Sequence, residues 1–147
     1  MKRLIQLLFF GCAALFTLSL FSCGSSRKVM GLEEGWDLLG EAKVNFIRDK
    51  DVITIRQRNM YTAIRFAVED KDVRISELKI VMNNGDVLQP AINEDIKAGQ
   101  QSRTIELAAD GRILDRIEFK YRSLGGIFSG RATVTVVGRR YDPYRRY

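Results

Sequence analysis

Reactive side chains are scarce in these 147 residues: there are two cysteines, Cys12 and Cys23, and no histidine. Without imidazole a serine or cysteine nucleophile lacks its ordinary base, and the commonest zinc ligand is missing. Carboxylates remain, and glycoside hydrolysis needs only two of them at a defined separation. Three loose groupings exist, Glu33 with Glu34, Glu94 with Asp95, and Asp115 with Glu118, none inside a recognisable motif. Glu118 alternates with Arg116, Lys120 and Arg122, which reads as a solvated strand face with cross-strand ion pairs. A carboxylate-only calcium loop is approached only by Asn83-Asn84-Gly85-Asp86, and Asn-Gly between strand-like segments is the preferred two-residue hairpin turn. Gly125-Gly126-Ile127-Phe128-Ser129-Gly130 has the wrong spacing for a phosphate-cradling loop, with no lysine after it and a strand next. The chain reads as a non-enzyme without cofactor or metal; a carboxylate-dependent hydrolase is the competing reading.

Cys23 offers a different chemistry. Met1-Lys2-Arg3, a mostly apolar run from Leu4 to Ser22 and then a cysteine follow the layout of a secretory signal, with a thiol available for lipid. An uncleaved membrane anchor is the alternative, because the run sits at the lower length limit for spanning a bilayer. Gly11, Cys12, Thr17, Ser19 and Ser22 dilute it, and Gly24-Ser25-Ser26 has the composition of a tether. Leu20-Phe21-Ser22-Cys23 resembles the lipobox of bacterial lipoproteins, in the looser form of Bacteroidota, with Phe21 where that pattern has a small residue. The resemblance implies cleavage before Cys23, palmitate on its thiol and attachment to the cell envelope. Gly24, in place of the aspartate of an inner-membrane retention signal, points to the outer membrane, facing the periplasm or the cell surface. Cleavage leaves 125 residues, enough for one core, with 22 basic and 18 acidic side chains. Cys12 leaves with the signal and Cys23 carries lipid, so no disulfide braces the domain. An exported chain with interspersed charges is not a nucleic-acid partner.

Candidate contact residues lie at turns and at the C-terminus. Tyr61, in the turn-like Gln57-Arg58-Asn59-Met60-Tyr61, is expected to be an exposed aromatic flanked by Arg58, or else a tyrosine folded back over the sandwich edge. Ile127 and Phe128, apolar and flanked by glycines, either touch a partner or lipid at a loop tip or tuck under a sheet edge. Arg139 to Tyr147 holds four arginines and three tyrosines against one acid. Arg140, Tyr144, Arg145 and Arg146 therefore suit anionic lipid, lipopolysaccharide phosphate or an acidic protein surface, against the bland reading of a solvated terminus. Trp36 either stacks on a sugar ring or plugs the end of the core, and the core is the expected place.

The elements that hold these residues are read from period-two alternation. Ala42, Val44 and Phe46 form one face of a first strand, Ile53 and Ile55 of a second, and Ile64, Phe66 and Val68 of a third. Val73 and Ile75 are out of phase with Leu78, Ile80 and Met82, which predicts a bulge near Ser76-Glu77. Pro90 marks an edge strand or bend, Asn93 to Gln101 a loop in which Asn93-Glu94-Asp95 starts a helical turn, and Ile105 with Leu107 a brief strand. Ile117, Phe119 and Tyr121, then Ala132, Val134 and Val136, supply the last two strands.

The pattern predicts an all-β fold, an antiparallel two-sheet sandwich, jelly-roll-like, of about eight or nine strands preceded by a signal helix. From Trp36 to Arg139 the chain resembles an uncharacterised family of small exported bacterial β-sandwich domains. The resemblance lies in Trp36 with Leu39-Gly40, Asp51-Val52-Ile53, Asn84-Gly85, Ala98-Gly99, Ile105 to Leu107, Ile117 to Ser123, and Ala132 to Val136 with Gly138-Arg139. It implies a fold and an envelope address and brings no catalytic residues. The expected division is a signal at 1–22, a tether at 23–35, a sandwich at 36–139 and a tail at 140–147. The expected role is a lipid-anchored, non-catalytic binding or assembly module whose partners are the membrane and an envelope protein, a glycan or anionic lipid; a carbohydrate-binding domain is the alternative.

Overall fold

Alternating β-branched and aromatic residues give nine strands in the computed structural model, which describes residues 32–45, 49–125 and 130–144. The apolar run with Cys23, Phe46, the loop tip with Ile127 and Phe128, and Arg145 and Arg146 lie outside the described residues. Among those described, no helix is long and apolar enough to cross a membrane.

The strands are β1 (Trp36–Asn45), β2 (Lys50–Thr54), β3 (Tyr61–Glu69), β4 (Val73–Met82), β5 (Val87–Leu88), β6 (Glu94–Ile96), β7 (Ile105–Glu106), β8 (Leu114–Ser123) and β9 (Arg131–Arg140). Two antiparallel sheets result. The first has the order β1-β9-β3-β7; the second has β2-β8-β4-β5, with β6 also on β4. β5 pairs with Ile80 and Val81, and β6 with Val73 to Ile75, so the two are halves of one strand broken around Pro90. Counted as one, they leave eight strands that alternate between the sheets except that β4 and the strand after it are neighbours in the second sheet, as in a jelly roll. The break has a physical cause: proline cannot donate to the ladder.

The inner faces meet as the alternation predicts. Phe66 on β3 packs on Phe119 of β8 with ring centroids 5.6 Å apart, and Phe119 packs on Tyr121 at 5.6 Å, joining the sheets through an aromatic row. Val44, Ile64, Val68, Ile75, Ile80, Ile117, Val134 and Val136 are fully buried around that row. The ladder between β4 and β8 shifts between Ile75 and Glu77, where the phase change predicts a bulge. The extra residue returns Leu78 and Ile80 to the core.

Three expectations need correction. Glu94–Ile96 is a strand and starts no helical turn, because Ile96 is buried against the β4 edge opposite Val73. The Asn84-Gly85 turn has three loop residues and not two: Gly85 N–H donates to the Met82 carbonyl at 3.0 Å and Met82 N–H to the Asp86 carbonyl at 2.8 Å. Gly85 sits at φ 91°, the left-handed residue that this wider hairpin requires. Tyr61 opens β3 and is fully buried, so its ring is no exposed contact.

Candidate functional site

The outer face of the first sheet departs from simple alternation. In β1 the register shifts between Leu38 and Gly40, so Leu39 turns into the core while Trp36 and Leu38 stay on the outer face. In β9 the doublet Val136-Val137 places the first valine in the core and the second on the outer face, where its neighbours cover it to 6% exposure. Ladder pairing then sets Leu38, Val137 and Arg65 in one row across β1, β9 and β3, with Glu41, Thr135 and Ala67 in the next.

These rows floor a shallow groove lined by Leu32, Trp36, Leu38, Val137 and Ala67. Leu32 and Leu38 are 44% and 37% exposed, an apolar surface where a solvated sheet face would carry polar groups. Trp36 is half-buried here, not at the end of the core as expected, and one face of its ring is taken. Arg65 stacks over it with the guanidinium carbon 4.2 Å from the centroid. Arg65 is itself fixed, donating to Thr104 Oγ1 at 2.8 Å and pairing with Glu33 at 3.3 Å. Among the described residues of the lining, Glu33, Glu41 and Glu69 border the groove and Arg65 is the one cation. The enclosed part is only ≈ 30 Å³, room for one or two waters and far below the roughly 300 Å³ of a small-molecule pocket. Such a surface suits side chains of a larger partner.

At one end of the sandwich the residues singled out from sequence form a polar clasp. Asp37 on β1 accepts hydrogen bonds from the Arg140 guanidinium, from Asn59 Nδ2 at 3.2 Å and from the Tyr61 hydroxyl at 3.2 Å. The Arg140 guanidinium beside Asp37 holds that carboxyl below its ordinary value. Burial, reinforced by the Asp37 charge, pushes the Tyr61 phenol up to about 12. Arg140 thus belongs to β9 and ties the last strand to the first. Arg58 stays exposed and donates to Asn83 Oδ1 at 2.9 Å. Tyr144 is 90% exposed. Cys23, Ile127, Phe128, Arg145 and Arg146 lie outside the described residues.

A sugar platform needs more than one exposed ring, but Tyr61 and Tyr121 are buried, and Trp36 reaches the surface without either beside it. Five of the six carboxylates proposed for hydrolysis are engaged elsewhere. Glu33 pairs with Arg65 and Asp95 with Arg74, Glu94 accepts from the Arg103 amide at 2.8 Å, and Asp115 and Glu118 both hold Arg116. Among the described residues no three His, Cys, Asp or Glu side chains group as a metal site. The groove was missed in the sequence, although the doublets Leu38-Leu39 and Val136-Val137 carry its signal: each must leave one apolar residue on the outer face unless the strand bulges.

No curated protein matches the chain. Among solved structures it is similar to Pseudomonas aeruginosa AlgX, at 12% identity and a TM-score of 0.44, over 70% of this chain and 26% of that one. The chain thus spans about a quarter of the AlgX chain's length. Residues 12–138 match the domain of unknown function DUF2541, and the chain belongs to that family.

Proposed function

We propose that this protein is a lipid-anchored module of the bacterial cell envelope that binds a partner without catalysis, through the Trp36 groove on the outer face of its first sheet. The observation that carries the reading is the groove itself: exposed Leu32 and Leu38 beside Trp36 and Val137, bordered by three carboxylates and one arginine. Charge complementarity selects the occupant, a segment of an envelope protein that combines apolar and basic side chains. The anchor rests on the Cys23 signal and the lipobox resemblance, with palmitate on the thiol and the outer membrane as the address. Catalysis is disfavoured by the chemistry of the chain, which has no histidine and ties at least one carboxylate of each loose pair to an arginine.

Trp36 is the single tryptophan of the chain, so its fluorescence reports the groove alone. Titration with a peptide alternating lysine and leucine is expected to shift that emission, with affinity falling as salt rises; a peptide alternating glutamate and leucine should leave it unchanged. Leu38→Asp or Glu69→Lys should weaken the response at least tenfold. Equal responses to both peptides, or a response indifferent to both substitutions, would overturn the binding surface. Labelled fatty acid incorporated by wild type and not by Cys23→Ala supports the anchor, and equal labelling sinks it.

A further inference from the structure

The outer face of the second sheet carries an opposite character. Outward positions on β2, β4 and β8 are Lys50, Arg74, Lys79, Arg116, Lys120 and Arg122, six cations. The acids on that side are Glu77 and Glu118, Asp95 on β6, Asp115 at one end of the ladder and Asp49 at the other, whose charge reaches Lys120. They are outnumbered at close range as well as in total. Glu118 alone is shared by Lys50 at 3.0 Å, Arg116 at 3.0 Å and Lys79 at 3.9 Å. Arg74 and Arg122 stand opposite each other across the ladder, and Asp95, which pairs with Arg74, feels both. A carboxylate surrounded by three cations leaves the cluster positive, which an external anion relieves.

The break between β5 and β6 adds shape to this charge. Ser76 to Lys79 of β4 fall between the two half-strands and have no outer neighbour. A basin of ≈ 670 Å³ opens there, its charged lining three lysines, Lys50, Lys79 and Lys120, against Glu77 and Glu118, with the 89–93 segment along its rim. Val52 and Val87 stand on the same face, 49% and 47% exposed. Cations interspersed with exposed aliphatic side chains are the composition of a surface that rests on lipid headgroups.

We infer that the outer face of the second sheet docks on an anionic membrane surface, with lipid phosphates among Lys50, Lys79, Lys120 and Arg122, so that the Trp36 groove of the opposite sheet faces away from the bilayer. The inference rests on the lipid-anchored reading for its geometry, since thirteen residues from Cys23 to Trp36 reach at most about 45 Å and keep the domain beside the membrane. One excess cation corresponds to a roughly 5-fold preference for anionic over zwitterionic lipid.

The test is lysine reactivity in the full, purified protein reconstituted into vesicles of phosphatidylcholine with or without phosphatidylglycerol. A membrane-impermeant amine reagent and peptide mass spectrometry read Lys50, Lys79 and Lys120 against Lys43, which is exposed on the other sheet. Labelling of the first three is expected to fall about fivefold in anionic vesicles and to recover at high salt, with Lys43 unchanged. Lys79→Glu with Arg122→Glu should restore labelling of Lys50 and Lys120, whereas Arg131→Glu on the opposite sheet should not. Equal labelling in both lipids, or protection of Lys43 instead, overturns the inference. The mass of the Cys23 peptide separates the two readings: a lipidated chain with uniform labelling keeps the anchor and loses the docking face. An unlipidated chain that is still protected at the three lysines keeps the docking face and loses the anchor.

Discussion

The two sheets share one core but turn unlike outer faces to solvent. On the first sheet Arg65, Arg139, Lys43 and Arg131 are balanced by Glu33, Glu41, Glu69 and Glu106, around an apolar strip of Trp36, Leu38 and Val137. On the second, cations outnumber acids and the aliphatic side chains are single. The difference teaches where information sits in a sandwich. Inner faces obey one rule, burial at every second residue, and are interchangeable in kind. Outer faces are set by exceptions to that rule: a bulge, a valine doublet and a broken edge strand.

The largest expected effect removes the part both faces depend on. Phe119 is 1% exposed and links Phe66 of one sheet to Tyr121 of the other. Phe119→Ala is expected to cost about 3 to 5 kcal/mol in urea unfolding, through lost burial and a cavity that the rigid sheets cannot close. The groove and the lysine face should then melt in one transition. Two transitions, or a loss below about 1 kcal/mol, would show that the sheets are not joined through this row.

Most of that interior was legible from the sequence. Alternation found Val44, Ile53, Ile64, Phe66, Val68, Ile117, Phe119, Val134 and Val136 as inward, and the phase change at Ser76-Glu77 found the bulge. The outer faces were much less legible. Trp36 looks like a core plug because its size dominates the argument, and only the register shift after Leu38 shows that it faces out. Tyr61 looks like a turn residue because Arg58, Asn59 and Met60 precede it, but backbone bonds with Arg112 draw it into the sandwich. Arg140 looks like the start of a tail because a sequence does not show Asp37 waiting across a ladder 103 residues away.

A middle-sized effect probes that clasp, which joins the ends of the domain and belongs to neither face. Asp37 titrates below its unfolded value, so its stabilisation is present above the unfolded carboxylate pKa and is lost as pH falls through the lowered folded value. Tyr61 titrates above its unfolded value of 10.0, so its share is complete below pH 10 and is lost as pH rises toward about 12. Asp37→Asn is expected to cost about 1 kcal/mol at neutral pH, a charge-assisted hydrogen bond discounted for solvent. It should flatten the acid limb of the stability curve and leave most of the alkaline limb, because burial is the leading cause at Tyr61. Tyr61→Phe should remove the alkaline limb and spare the acid one. An unchanged acid limb in Asp37→Asn would place the acid sensitivity in other carboxylates.

The smallest effect sharpens the contrast between the faces directly. Arg65 is held at both ends of its guanidinium, by Thr104 and by Glu33, while its plane covers Trp36. Lys79 on the other sheet reaches, at 3.9 Å, the Glu118 Oε1 that Arg116 already holds at 3.0 Å. Truncating each to methionine keeps the alkyl stem and removes the charge. Arg65→Met is expected to cost about 0.5 to 1 kcal/mol through the lost cation–π contact, and to change the Trp36 emission because the ring gains solvent or a thioether neighbour. Lys79→Met should stay within about 0.5 kcal/mol of wild type, the usual range for an exposed pair that another cation replaces. Equal costs would mean that the Trp36 stack contributes no more than a solvated ion pair. Arg65 would then be a removable cover over the tryptophan, and the partner's own cation its natural replacement.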